Sequence, residues 1–315
     1  MGEKSKVNVG RKVAYGFGSI AYGVKNNGFD YFFLIFYSQV MGVSAYLVSL
    51  ALLIALVVDA LSDPLIGYMS DNTRSRWGRR HPFMYAAALP VAVAYYFVWN
   101  PPSGLEGDAL FPYIVTVAVL VRTLITLYEI PSSSLVAEMS DDYDERTTML
   151  SYRYFFGWTG GTLMGAFATI VVLVPTETIS NGMFNVEAHG QVGAIAAGVI
   201  FFAILISALG THSMIPELKP PPAARKLGIG LIYREVFETL ASRSFLALFL
   251  AALFGAIASG VSTTLSFYFS TFFWGFSTEQ IGLIALSVVV SAVLAFMIAP
   301  VISKRFGKKR GAIVV

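Results

Sequence analysis

The stretch DALSDPLIGYMSDNTRSRWGRR, residues 59–80, decides how this chain is read. Asp59 and Asp63 stand four apart inside an apolar run from Tyr46 to Met69. On insertion scales an acid at the centre of a membrane helix costs about 2.5–3.5 kcal/mol. Ionisable groups at that depth face a bundle interior or a water-filled cavity, so a helix that keeps two of them points to ion chemistry. The run ends at Asp71 and then Arg74, Arg76, Arg79 and Arg80, the charged border of a span.

The rest of the chain agrees. Its 315 residues are 56% hydrophobic and 13% charged, against about 25% charged in soluble proteins. Apolar runs of about 20 residues, enough to cross a bilayer as a helix, recur along the sequence. The alternating strands of a membrane barrel do not. The fold class is therefore an all-α, multi-pass membrane protein. We read eight spans, near 13–38, 45–70, 82–100, 112–137, 149–174, 191–213, 244–272 and 280–302. The polar, basic opening MGEKSKVNVGRK reads as the lead-in to the first span rather than a cleaved leader. Without cysteine there is no disulfide or thiolate metal site.

Charge sets the orientation. Alternate loops carry Lys4, Lys6, Arg11 and Lys12; Arg74 to Arg80; Arg146; Lys219, Arg225, Lys226, Arg234 and Arg243; and Lys304 to Arg310. The opposite loops, 39–44, 101–111, 175–190 and 273–279, contain no Lys or Arg. The positive-inside rule puts the N-terminus in the cytoplasm. Between spans 6 and 7, a turn with Pro216, Pro220, Pro221 and Pro222 precedes LIYREVFETLASRSF, whose apolar residues fall at helical spacing. This predicts an amphipathic helix on the cytoplasmic surface.

An internal repeat organises the spans. FYSQVMGVS (36–44) matches FSTFFWGFS (269–277), and RWGRR (76–80) matches RFGKKR (305–310), at an offset of about 230 residues. Both copies have the same topology, which is the two-bundle plan of the major facilitator superfamily. The domains are then 1–213, a six-helix bundle; 214–243, a linker; and 244–315, the start of a second bundle that covers two spans and opens a ninth. A repeat left unfinished predicts that the chain is a piece of a twelve-span protein rather than a complete eight-span one.

The intramembrane ionisable residues are few: Lys25, Asp30, Asp59, Asp63, Arg122, Glu129 and Arg153. Asp59 and Asp63 share a helix face about 6 Å apart along the axis. Arg122, Thr126 and Glu129 form another stripe. Asp59, Asp63, Glu129 and Thr126 together could surround a small cation with oxygen ligands. Repulsion between the acids lets the same place take a proton, so Na+ and H+ both stand. No metal is expected beyond a Na+ at Asp59 and Asp63. The acids also neutralise the neighbouring cations, a reading compatible with the first. Lys25, Asn26 and Asn27 either contact a polar substrate or bond between helices. Pro64 and Pro131 kink their helices, while Gly157, Gly160, Gly161 and Gly165 allow close packing. DDYDER (141–146) is a source of ion-pair partners for the loop arginines. There is no enzyme signature: His81, His189 and His212 stand at loop or span-end positions, where surface roles are expected.

These motifs resemble the glycoside–pentoside–hexuronide:cation symporters, the melibiose permease family of the major facilitators. The likeness rests on residues 59–83 and on EIPSSSLVAEMSDDYDERT (129–147) with the following SYR. It implies two six-helix bundles with a substrate site between them, and symport of a sugar or glycoside with Na+ or H+ by alternating access. It assigns Asp59, Asp63, Glu129 and Thr126 to the cation. Lys25, Asn26 and Arg153, with Arg122, are assigned to the substrate, and Gly67, Asp71, Arg79 and Arg80 to a cytoplasmic gate. Asn26 stands where melibiose permease has an acid, Ser133 where it has a tryptophan, and Leu56 where it has an arginine. These departures point away from a galactoside and leave the cation residues intact. The implied partners are a small-molecule substrate and membrane lipids, with no nucleic acid and no cofactor besides the coupling ion, in a monomer of the bacterial inner membrane. A lipid-like amphiphile as cargo, or a non-transporting sensor or scaffold, are the competing readings.

Overall fold

The computed structural model describes residues 7–218 and 228–314, and every regular element among them is helical. Among the described residues seven helices are long and apolar enough to cross a membrane: Ala45–Asn72, His81–Trp99, Gly107–Met139, Tyr143–Val172, Val186–His212, Arg243–Phe273 and Thr278–Ile298. The segment read as span 1 is helical but divided. It comprises α1 (Val9–Phe17), α2 (Ser19–Asn27), a π-turn (Gly28–Phe32), α3 (Phe33–Ile35) and a second π-turn (Phe36–Val40). The remaining helices are α4 (Ala45–Asn72), α5 (His81–Trp99), α6 (Phe111–Met139), α7 (Tyr143–Phe167), α8 (Val186–His212), α9 (Ile229–Leu240), α10 (Arg243–Tyr268) and α11 (Thr278–Val314).

The main contacts pair α5 with α8 and α6, α2 with α7, α4 with α6, and α1 with α7 and α8. The backbones of span 1 and α7 approach closely where they cross. A Cβ on Gly23 would lie 1.9 Å from the Gly157 carbonyl oxygen, and one on Gly161 would lie 2.5 Å from that of Gly23. Small residues let two backbones touch here, the basis of helix association where burial from water does not drive it.

The repeat is visible in the backbone. In the first copy the N–H of Met41 donates to Phe36 O at 3.0 Å and that of Val43 to Tyr37 O at 2.9 Å. In the second, Trp274 donates to Phe269 O and Phe276 to Ser270 O, both at 2.9 Å. Each helix stops on a left-handed glycine, Gly42 (φ 72°) or Gly275 (φ 65°), as a helix-ending cap requires. The copies meet through Ser38 Oγ and Tyr268 OH, 2.9 Å apart.

Two sequence expectations are corrected, for the segment 304–310 and for the histidines. The charged segment 304–310, read as a loop, continues α11, because Lys and Arg are good helix formers and Gly307 alone does not stop a helix. The linker helix α9 is present as expected from the apolar spacing and touches α4, with Tyr233 OH donating to the Leu61 carbonyl. Two of the histidines are interior. His81 is 0% exposed and His189 1%. His81 Nε2 lies 3.0 Å from Thr211 Oγ1, and Tyr85 OH lies 3.0 Å from His212 Nδ1. His189 stacks on Trp99. A histidine at a helix end is covered when the adjoining helix supplies a hydroxyl or ring to meet it. Pro220, Pro221 and Pro222, with Lys4, Lys6, Lys219, Arg225 and Lys226, lie outside the described residues.

Candidate functional site

The site is built on α4 and α6, which pack side by side. The i, i+4 spacing puts Asp59 and Asp63 on one face of α4. Pro64 has no N–H, so the carbonyl of Ala60 loses its helical donor, and the acids flank a loosened turn. Ser62 Oγ donates to the Asp59 carbonyl at 3.1 Å within it.

Asp59 is held by α6. Thr126 Oγ1 lies 2.9 Å from Asp59 Oδ1 and 3.0 Å from the Arg122 carbonyl, so its single proton serves one acceptor at a time. Arg122 Nη1 reaches Asp59 Oδ2 at 3.4 Å, and its guanidinium lies 5.4 Å from the Phe29 ring centroid. Asp63 differs: its Oδ1 is buried and has no hydrogen-bond partner among the described residues. A buried carboxylate oxygen without a donor is costly. A proton or a small hard cation placed between the acids would satisfy it.

Glu129, expected beside these acids, forms an ion pair with Arg153 of α7 instead. Arg153, 6% exposed, also donates to Ser132 Oγ at 2.9 Å and lies over the Tyr15 ring. A guanidinium that deep needs a carboxylate partner, and Glu129 is the acid on the helix beside it. One oxygen of Glu129, Oε2, stays buried without a partner among the described residues.

Lys25 of α2 is 2% exposed, and its Nζ lies 4.6 Å from the Tyr22 ring centroid. Among the described residues it makes no ion pair, but it sits in the combined field of Arg122, Asp59, Asp30 and Glu129. Asn26 beside it is half-buried and Asp30 is exposed. Lys25, Arg122, Asp59, Glu129 and Arg153 thus form one polar group contributed by α2, α4, α6 and α7.

The arginine-rich end carries a second cluster. Arg80, 5% exposed, pairs with Asp71, donates to Ser70 Oγ at 2.6 Å and reaches Glu138 Oε1 at 2.8 Å. Arg79 Nη2 meets the same oxygen at 2.8 Å. Gly67 contributes its carbonyl, which accepts from Ser70 Oγ at 3.0 Å.

The DDYDER segment, expected to answer these arginines, is engaged elsewhere. Asp142 caps α7, and Asp141 meets Arg146 at 3.6 Å. Glu145 binds Lys12 (2.9 Å), the Val7 N–H (2.8 Å) and Ser140 Oγ (2.7 Å). The partner that sequence reasoning missed is Glu138, 3% exposed. Its signal was available: it is an acid in the last turn of α6, at the same end as the arginines.

Residues 14–315 match the model of a family described as MFS/sugar transport protein. An uncharacterized symporter of Synechocystis is 30% identical over 226 residues, 70% of this chain and 40% of that protein. The inner membrane symporter YicJ of Escherichia coli is 28% identical over 69% of this chain and 46% of its own length. The isoprimeverose transporter of Lactiplantibacillus pentosus is 26% identical over 71% of this chain and 47% of its own. The chain thus spans less than half the length of these relatives.

Proposed function

We propose, on the premise that the chain belongs to the MFS/sugar transport family and within it to the glycoside–pentoside–hexuronide:cation symporters of the major facilitator superfamily, that it serves in cation-coupled symport of a sugar or glycoside. The family is one of transporters, not enzymes, and the protein is a multi-pass membrane protein. The observation that carries the reading is the unequal pair on α4: Asp59 held by Thr126 and Arg122, Asp63 with a buried oxygen left open.

In this reading Asp59, Asp63 and Thr126 take the coupling ion, Na+ or H+. Arg122 links that site to the substrate side, where Lys25, Asn26 and the Arg153–Glu129 pair meet hydroxyl groups. A sugar is favoured by this mixture of donors and acceptors, and by the relative named for isoprimeverose. The cluster of Gly67, Asp71, Arg79, Arg80 and Glu138 acts as a cytoplasmic gate whose ion pairs break and remake as the bundles rock. Residues 1–213 form the first bundle, 214–243 the linker and 244–315 the opening of the second, with the N-terminus in the cytoplasm of a bacterial-type inner membrane. One cation moving down 100 mV supplies about 2.3 kcal/mol, roughly a 50-fold accumulation.

The test is uptake into proteoliposomes by the protein expressed from its native gene, under imposed sodium or proton gradients. Asp63→Asn is expected to abolish stimulation by the coupling cation. Stimulation that survives in that variant refutes the assignment.

A further inference from the structure

Asn27 is the member of the Lys25–Asn26–Asn27 triplet that the polar group above does not use. Its amide takes no hydrogen bond among the described residues. It is turned toward α7, where a Cβ on Gly165 would lie 2.5 Å from Asn27 Oδ1. Beside it is an interior cavity of about 20 Å³. Asn27 and Gly28 of span 1, Tyr95 and Trp99 of α5, Gly165 of α7 and His189 of α8 line it. Tyr95, Trp99 and His189 are 2%, 3% and 1% exposed.

These residues carry complementary hydrogen-bonding groups. The indole N–H of Trp99 is buried and has no partner among the described residues. It lies on the ring edge that approaches Gly28: a Cβ there would stand 3.2 Å from Trp99 Cζ2, two bonds from the nitrogen, and 2.1 Å from Tyr95 OH. The Tyr95 hydroxyl is beside the indole N–H without hydrogen-bond geometry, and it donates to the Val24 carbonyl at 3.4 Å. His189 Nε2 lies 2.8 Å from the Met183 carbonyl. A carbonyl only accepts, so Nε2 carries the proton and Nδ1 is left as an acceptor. The cavity is thus bordered by residues offering one donor, the indole, one acceptor, the imidazole, and two groups that do both, the phenol and the amide.

Size and chemistry select the occupant. A water needs about 10–15 Å³ of such space, so the cavity admits one and nothing larger. No Asp or Glu lines it to hold a cation, and no Lys or Arg to hold an anion. A cation would also face the indole N–H. Water accepts from the indole and donates to the imidazole, with the Asn27 amide serving either way, within the two to four partners a buried water takes.

We propose that this cavity is a binding site for one ordered water, joining α2, α5 and α8 through Asn27, Trp99 and His189. It stands where α2 passes into the π-turn Gly28–Phe32. Water at a break in a membrane helix satisfies groups that the break would leave stranded. Asn27 therefore serves the joint of span 1 and not the substrate, whichever substrate that is. The site is independent of the transport reading.

NMR of the purified protein labelled with 15N-tryptophan tests it, with the Trp99 indole resonance assigned by Trp99→Phe. The Trp99 N–H is expected to show a direct dipolar cross-peak to water, yet to exchange with solvent at least about tenfold more slowly than that of Trp77, which is 42% exposed. The cross-peak is expected to be the same in Asp63→Asn and with or without sodium. Asn27→Leu fills the cavity, and Gly165→Ala drives the amide into it, so each is expected to remove the cross-peak. Its absence from wild type, or its survival in both variants, overturns the inference. A cross-peak that requires sodium or Asp63 overturns it too, because the water then belongs to the ion site. A Trp99 resonance that titrates with added ammonium chloride replaces water with a cation and refutes the choice of occupant.

Discussion

Replacing both Glu129 and Arg153 with methionine separates the structural and chemical roles of this pair. Arg153 has a side chain 7% exposed and Glu129 one 25% exposed, and they are each other's ion-pair partner. Removing one partner of a buried pair strands the other charge and typically costs about 3–5 kcal/mol. Glu129→Met leaves the deeper guanidinium with the Ser132 hydroxyl, 2.9 Å away, and the Tyr15 ring but no carboxylate, and belongs near the top of that range. Arg153→Met leaves a carboxylate that is one-quarter exposed and partly rehydrates, so its cost is nearer about 3 kcal/mol. Added independently, the two losses exceed about 6 kcal/mol. In the double variant no charge is stranded and the methionines fill similar volume, so stability returns to within about 2 kcal/mol of wild type. Denaturant titration of the four forms in detergent, followed by tryptophan fluorescence, measures the cycle. The same proteins are assayed for cation binding and uptake. The double variant is expected to keep cation binding, which the proposed function assigns to Asp59 and Asp63, and to lose substrate uptake. A double variant destabilised by the sum of the singles refutes the pairing. One that is stable yet binds no cation returns Glu129 to the ion site.

Two further predictions concern packing and the arginine-rich end. Gly23→Ala drives a Cβ to 1.9 Å from a backbone oxygen of α7, so the helices must separate, at about 1–3 kcal/mol or more. Gly198→Ala, whose Cβ meets nothing within 4 Å, is neutral or stabilising by up to about 1 kcal/mol; equal melting temperatures for the two variants would contradict the close contact. Glu138→Gln removes the charge shared by Arg79 and Arg80 at a 3% exposed position. It should lower stability by about 2–4 kcal/mol and raise proteolysis of the 73–80 loop; unchanged cleavage would show that Glu138 does not hold it.

Much of this was legible because membrane insertion leaves few places for charge. The cost of an acid at mid-span singled out Asp59 and Asp63, and Asp59 meets Thr126 and Arg122 of α6. The glycines at 42 and 275, with serines two residues on, marked equivalent turns that carry matched backbone bonds. What sequence could not supply was the identity of partners across helices. Glu129 shares a stripe with Thr126 and so looked like its companion, but a neighbouring helix delivers Arg153 to it. His81 and His189 looked peripheral because they stand near span ends; Thr211, Trp99 and the Met183 carbonyl, all distant in sequence or across a turn, cover them. The DDYDER acids looked like partners for the loop arginines, while Arg79 and Arg80 found Glu138, an acid hidden in an apolar helix end. Span 1 read as one helix with polar residues at Lys25, Asn26 and Asn27, yet two π-turns, Gly28–Phe32 and Phe36–Val40, divide it after them, and no local pattern marks these.

The central claim is that the Asp59–Asp63 turn binds the coupling ion. Sodium binding measured directly on the purified protein by isothermal titration calorimetry, at several pH values, tests it most plainly. A single saturable site is expected in wild type, weakened at least tenfold by Asp63→Asn and by Asp59→Asn, with proton release or competition as pH falls. Undiminished sodium binding in both variants, together with unaltered proton linkage, would contradict the account.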